Sequence, residues 1–106
     1  MFSVLIYKII MYNKQIAILT NCLEQLDYYK NDSVEWSQNM VNTLRNYPKP
    51  YKKGEHLKSF ENPILLGAYL YTSNVRNACK LIQLGHISSI AVIKENIIKA
   101  LNILIN

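Results

Sequence analysis

The groups with which this chain could do chemistry are few: two histidines, two cysteines, seven carboxylates and twelve lysines and arginines. Zinc binding and nucleophilic catalysis both need such groups clustered, at short spacing or on one helix face. His56 and His86 stand 30 residues apart, and neither has a partner at ligand spacing. No metal and no cofactor is expected. His86, directly after Gly85, reads as a helix-closing residue, and His56 as a solvated loop residue. Cys22 and Cys79 sit among apolar neighbours with no local histidine, so both read as buried, reduced thiols and not as nucleophiles. Glu24 and Asp27 are three apart, but Lys14 and Lys30 nearby make them part of a solvated charged face. The three glycines, Gly54, Gly67 and Gly85, are too scattered for a phosphate loop. Asn31-Asp32-Ser33 has the form of a glycosylation acceptor, but without a secretory leader it reads as a helix cap.

One constellation has the character of a binding site. Tyr47, Lys49, Tyr51, Lys52, Lys53, His56, Lys58 and Phe60 interleave cations with aromatic rings. Lysines neutralise phosphates and rings stack on bases, which is what single-stranded nucleic acid demands. Glu55 and Glu61 dilute that charge, and Tyr47 and Phe60 have a second use as anchors of the segment to the core. Tyr69 and Tyr71 lie farther on, beside Leu65, Leu66 and Leu70, with Arg76 and Lys80 one to three turns beyond. Tyrosines that bury a ring and keep a hydroxyl wet suit a protein interface. The candidate partner-binding residues are therefore Tyr47, Tyr51, Lys52, Lys53, His56, Lys58, Tyr69 and Arg76.

The elements that must carry these residues read as helices. Phe2, Leu5, Ile9, Tyr12, Ile16, Leu19, Leu23 and Leu26 step by threes and fours, which predicts a long amphipathic helix over residues 1–30. Ile6, Ile10, Ile18, Cys22 and Tyr29 widen its stripe; the β-branched and aromatic run of the first ten residues also suits a strand, and Met11 is an alternative start of the native chain. Asp32 with Glu35 forms a capping box for a second helix carrying Trp36, Met40, Leu44 and Tyr47, which Pro48 ends. Residues 48–61 hold two prolines, a glycine and four lysines without periodicity and read as a long exposed connection. Asn62-Pro63 opens a third helix, with Ile64, Ala68, Tyr71, Val75, Ala78 and Ile82 on one stripe and Gly85 closing it. Ser88 or Ser89 caps a fourth, faced by Ile90, Ile93, Ile97, Leu101 and Leu104, with Glu95 and Lys99 paired on the other side. Ile87, Val92, Ile98, Ile103 and Ile105 broaden that face, so the fourth helix is either enclosed or meets a second copy in a homodimer.

The expected fold is all-α, a single domain over residues 1–106 built as a compact bundle of about four helices with a long loop between the second and third. The alternative is α+β, with residues 2–10 or 87–93 as strands. Basic residues interrupt every apolar run, so no membrane span is expected and the protein reads as soluble and cytoplasmic. Net charge is +5, yet Ile, Asn, Lys and Tyr make up 44 of the 106 residues, a bias that A/T-rich codons also produce. The leading functional expectation is a non-enzymatic protein–protein interaction module, for example a neutralising partner of the immunity-protein or antitoxin type. Its positive charge disfavours a basic nuclease as target. The rival is a nucleic-acid-associated factor using residues 47–60 with Arg76 and Lys80, and a small enzyme with a site assembled across helices comes third.

Overall fold

In the computed structural model, which describes residues 9–27, 33–49, 62–86 and 89–106, four helices follow one another: α1 (Asn13–Leu26), α2 (Ser33–Leu44), α3 (Pro63–Gln83) and α4 (Ser89–Ile105). No strand occurs among the described residues, and the fold is an all-α bundle. Residues 9, 10 and 89–93 are helical, which removes the α+β alternative there. Residues 2–8, 87 and 88 lie outside the described part.

The first helix departs from its expected continuity. Tyr12 takes a non-helical conformation (φ −109°, ψ 25°) and stands as the N-cap of α1. The helical residues 9–11 ahead of it are exposed. Ile9 and Ile10, expected on the apolar face, are 43% and 67% exposed, whereas Tyr12, Leu19 and Cys22 are buried. In α2 the spacing holds for Trp36, Met40 and Leu44, all buried, but the helix ends at Leu44, short of the expected end at Pro48, and Tyr47 is buried from the turn that follows. Glu35 lies in its first turn, while Asp32, the other half of the expected capping box, lies outside the described residues.

Both ends of α3 are made as their residue types dictate. The Asn62 side chain accepts from the amides of Ile64 (3.1 Å) and Leu65 (3.2 Å), and Pro63 occupies the first turn, where its missing N–H is no loss. At the other end Gly85 adopts φ +98°. Its amide donates to the Ile82 carbonyl, and that of His86 to the Leu81 carbonyl, the two bonds of a Schellman closure. The His86 backbone therefore closes the helix while its side chain is exposed. Between these ends the helix runs unbroken past Gly67 and Thr72, whose hydroxyl donates to the Tyr69 carbonyl (2.6 Å). Ser89 is the first residue of α4; Ser88, the alternative cap, is not described.

The helices meet in a ring in which α1 packs on α2, α2 on α3, α3 on α4 and α4 on α1, with α3 and α4 sharing the largest contact. Gly67 faces Ile103, and Asn74 donates to Asn96 (3.0 Å). Advancing along α3 thus means retreating along α4, so the two run antiparallel. Gln38 with Gln83 and Tyr47 with Tyr69 establish the same sense for α2 and α3. Leu19, Met40, Leu44, Val75, Ile82, Ile93, Ile97 and Leu104 fill the middle, each under 2% exposed. Burying one such side chain stabilises the fold by roughly 1.5–3 kcal/mol. The wide apolar face of α4 is largely consumed there, which leaves Val92 and Ile98 as its exposed large hydrophobics among the described residues. No helix among the described residues is long and apolar enough to cross a membrane.

Candidate binding pocket

After α2 ends at Leu44, the Tyr47 amide donates to the Leu44 carbonyl (3.0 Å). This tight turn swings the Tyr47 ring inward against α3, and Pro48 then prevents the helix from resuming. The Tyr47 and Tyr69 rings lie 6.4 Å apart between centroids, tilted by 34°. Seven residues after Tyr69, two helical turns along the same face, Arg76 sets its guanidinium carbon 5.2 Å above the Tyr69 ring. The same guanidinium donates to Ser73 Oγ (2.9 Å). Ring and hydroxyl together fix its orientation.

Around these groups opens a pocket of ≈ 320 Å³, lined by Leu44, Arg45, Tyr47, Lys49, Tyr69 and Arg76. Among the described residues three of its walls are cationic, and no carboxylate lines it. Burial pushes the Tyr47 phenol above its usual range, so that it stays protonated. Its oxygen is buried and has no hydrogen-bond partner among the described residues. Tyr47 and Tyr69 are 5% and 9% exposed, so their rings form the floor of the pocket and hold its rim in place. They do not offer the open face that base stacking requires.

Of the eight candidate residues the fold brings together Tyr47, Tyr69 and Arg76; Tyr51, Lys52, Lys53, His56 and Lys58 lie outside the described residues. Lys49 belongs to the pocket, and so does Arg45, which the sequence reading passed over. Its position three residues before Pro48, at the foot of a helix, was the available signal, since basic side chains favour helix C-termini. Lys80 does not line the pocket.

A second, more open pocket of ≈ 480 Å³ lies between α1 and α2, lined by Gln25, Trp36, Asn39, Asn42 and Thr43. The Trp36 indole donates to the Gln25 carbonyl, and the Gln25 amide to Thr43 Oγ1 (2.7 Å). These neutral groups can hydrogen-bond but cannot transfer a proton near neutrality or pair with a charge. Cys22 and Cys79 are free and fully buried. Burial pushes both thiols up to about 12, with the Cys79 charge adding to the rise at Cys22. Glu24 and Asp27 are exposed, as a solvated face requires. Among the described residues no three His, Cys, Asp or Glu side chains gather as a metal site. Compared with known proteins, the chain matches no family model, no curated protein and no solved structure.

Proposed function

We propose that this protein is a non-enzymatic interaction module that engages another protein through the face around Tyr47, Tyr69 and Arg76. The observation that carries the reading is the convergence of Arg45, Lys49 and Arg76 on one pocket with a tyrosine floor and, among the described residues, no carboxylate in its walls. Arginine and tyrosine are the residue types in which binding energy concentrates at interfaces. Here the fold already bears the entropic burden of ordering Arg76. The complementary partner presents an acidic segment, and a neutralising role of the immunity-protein or antitoxin type would require an acidic surface on its target. The non-enzymatic part draws support from Cys22 and Cys79, whose buried, protonated thiols are poor nucleophiles. The same two reduced thiols suit a cytoplasmic setting.

The test is quantitative affinity capture from the native host, comparing the wild-type chain with Arg45→Glu/Arg76→Glu. A defined partner held by the wild type, lost from the variant and retained after nuclease treatment supports the reading. Capture that ignores the substitutions removes it.

The nucleic-acid reading retains one favourable observation, the cationic rim of the same pocket. Phosphate-backbone contacts predict binding that weakens steeply as salt rises. Binding to single-stranded oligonucleotides with no salt dependence, or no binding, removes this alternative. A homodimer through α4 would have to be built on Val92 and Ile98, 43% and 39% exposed. A strict monomer by sedimentation at high micromolar concentration excludes it.

A further inference from the structure

We infer that the Arg45–Lys49–Arg76 pocket is a phosphate-monoester site, whose ligand is a doubly charged oxyanion and not a single carboxylate. The inference rests on the reading of this pocket as the contact point and names the group it takes. Four observations lead to it. Among the described residues the walls carry three cations and no carboxylate. The structure's one ion pair among the described residues, Lys99 with Glu95 (2.9 Å), lies on α4 and does not involve these cations. A phosphate monoester near neutrality carries about −1.5 to −2 charge on three acceptor oxygens, which suits three cations better than the single charge of a carboxylate.

The second observation is geometric. Arg76 is held by the Tyr69 ring on one side and Ser73 Oγ on the other. A guanidinium has five N–H donors, so those not given to Ser73 remain for a planar, two-point approach to an oxyanion. Third, Arg45 follows directly on the end of α2 and Lys49 follows the turn that Tyr47 anchors. Two of the three cations are thus placed by backbone features that do not depend on the ligand. Fourth, the volume of ≈ 320 Å³ lies near the lower end of the roughly 300–1,000 Å³ usual for ligand pockets. That space takes a phosphate with the group that carries it and is modest for a long polymer.

The phosphate has two possible sources, a small free molecule or a phosphorylated side chain of the partner protein, and one experiment separates them. The full chain, labelled with nitrogen-15, is titrated with phenyl phosphate, inorganic phosphate and benzoate. A phosphotyrosine peptide, a phosphoserine peptide and their unphosphorylated forms follow. Saturable shifts at the amides of Arg45, Tyr47, Lys49 and Arg76 are expected with the phosphates, with benzoate at least about tenfold weaker. Arg76→Gln and Arg45→Gln should each weaken phenyl phosphate about tenfold. Arg76→Lys keeps the charge but loses the fork, so it should fall between wild type and Arg76→Gln. Lys94→Gln, on the exposed face of α4, should bind as the wild type does, and circular dichroism melts verify that every variant is folded.

Stronger binding of a phosphopeptide than of phenyl phosphate assigns the site to a modified partner, and the reverse order assigns it to a small molecule. Benzoate binding as tightly as phenyl phosphate overturns the proposal. So do shifts spread over lysines elsewhere, or unchanged affinity in folded Arg76→Gln. If phosphate binding fails while partner capture still depends on Arg45 and Arg76, this proposal falls and the interaction reading stands. If phosphate binds as described and no partner depends on the pocket, the interaction reading fails alone.

Discussion

Alkaline pH should destabilise this protein through its two interior thiols. Cys22 on α1 and Cys79 on α3 are fully buried. Burial raises each from an ordinary 9.0 to about 12, and Cys22 also senses the charge of Cys79. Between those two values the unfolded chain releases protons that the folded chain keeps. Stability from this source is therefore intact below pH 9 and declines as pH climbs toward 12. At about pH 10, one unit above the unfolded value, each thiol contributes roughly 1 to 2 kcal/mol of lost stability, on the order of 3 kcal/mol for the pair. Against a net stability of about 5–15 kcal/mol for a domain, that is a large fraction.

The assay is urea unfolding followed by circular dichroism, under reductant, at about pH 7.5 and about pH 10, for the wild type and for Cys22→Ala/Cys79→Ala. The variant will be weaker at both values because each substitution opens a small cavity. The informative quantity is the change between the two pH values, in which the lysines and tyrosines common to both chains cancel. The wild type should lose roughly 3 kcal/mol more than the variant over this interval. Equal losses in the two chains would mean that the thiols titrate alike folded and unfolded, and the argument from burial would fail.

Other consequences follow from particular residues. Asn62→Ala removes the side-chain acceptor for two amides at the start of α3 and should cost about 1 kcal/mol in urea unfolding; an unchanged midpoint would show that water replaces it without loss. The two described glycines should respond with opposite signs in thermal melts. At Gly67 an added methyl meets Ile103 Cδ1 at 3.4 Å, an ordinary contact, so Gly67→Ala should stabilise α3 by up to about 1 kcal/mol. Gly85 has open space around it but φ +98°, so Gly85→Ala should destabilise by about 1–2 kcal/mol; equal signs would contradict the backbone argument. Tyr47→Phe deletes a buried hydroxyl with no partner among the described residues and should raise stability by about 1 kcal/mol, whereas a lower melting temperature would mean that the hydroxyl is paired in solution.

Helix type and most boundaries were legible in the chain because they depend on local chemistry. Pro63 removes a donor where none is needed, and Gly85 accepts a positive φ that other residues resist. The spacing of Trp36, Met40 and Leu44 is a property of a helix wherever it sits, and all three are buried. The pairing of Lys99 with Glu95 likewise needs only one helix. Ile9 and Ile10 mark the limit of that logic. Their spacing suits the stripe, but they are exposed ahead of the non-helical Tyr12, and spacing carries no information about such a break.

What tertiary structure alone decided is which distant residues share a space. Arg45 and Arg76 are 31 positions apart, and nothing in either neighbourhood announces the other. They line one pocket because α3 packs antiparallel on α2 and sets Tyr69 beside Tyr47. The aromatic residues of residues 47–60 read as a stacking surface in the sequence, yet burial turns Tyr47 into a floor. Local sequence fixes the conformation of each rod, since backbone hydrogen bonding and side-chain sterics act over a few residues. The meeting of charges across rods depends on how the apolar stripes satisfy one another, and that is a property of the packed whole.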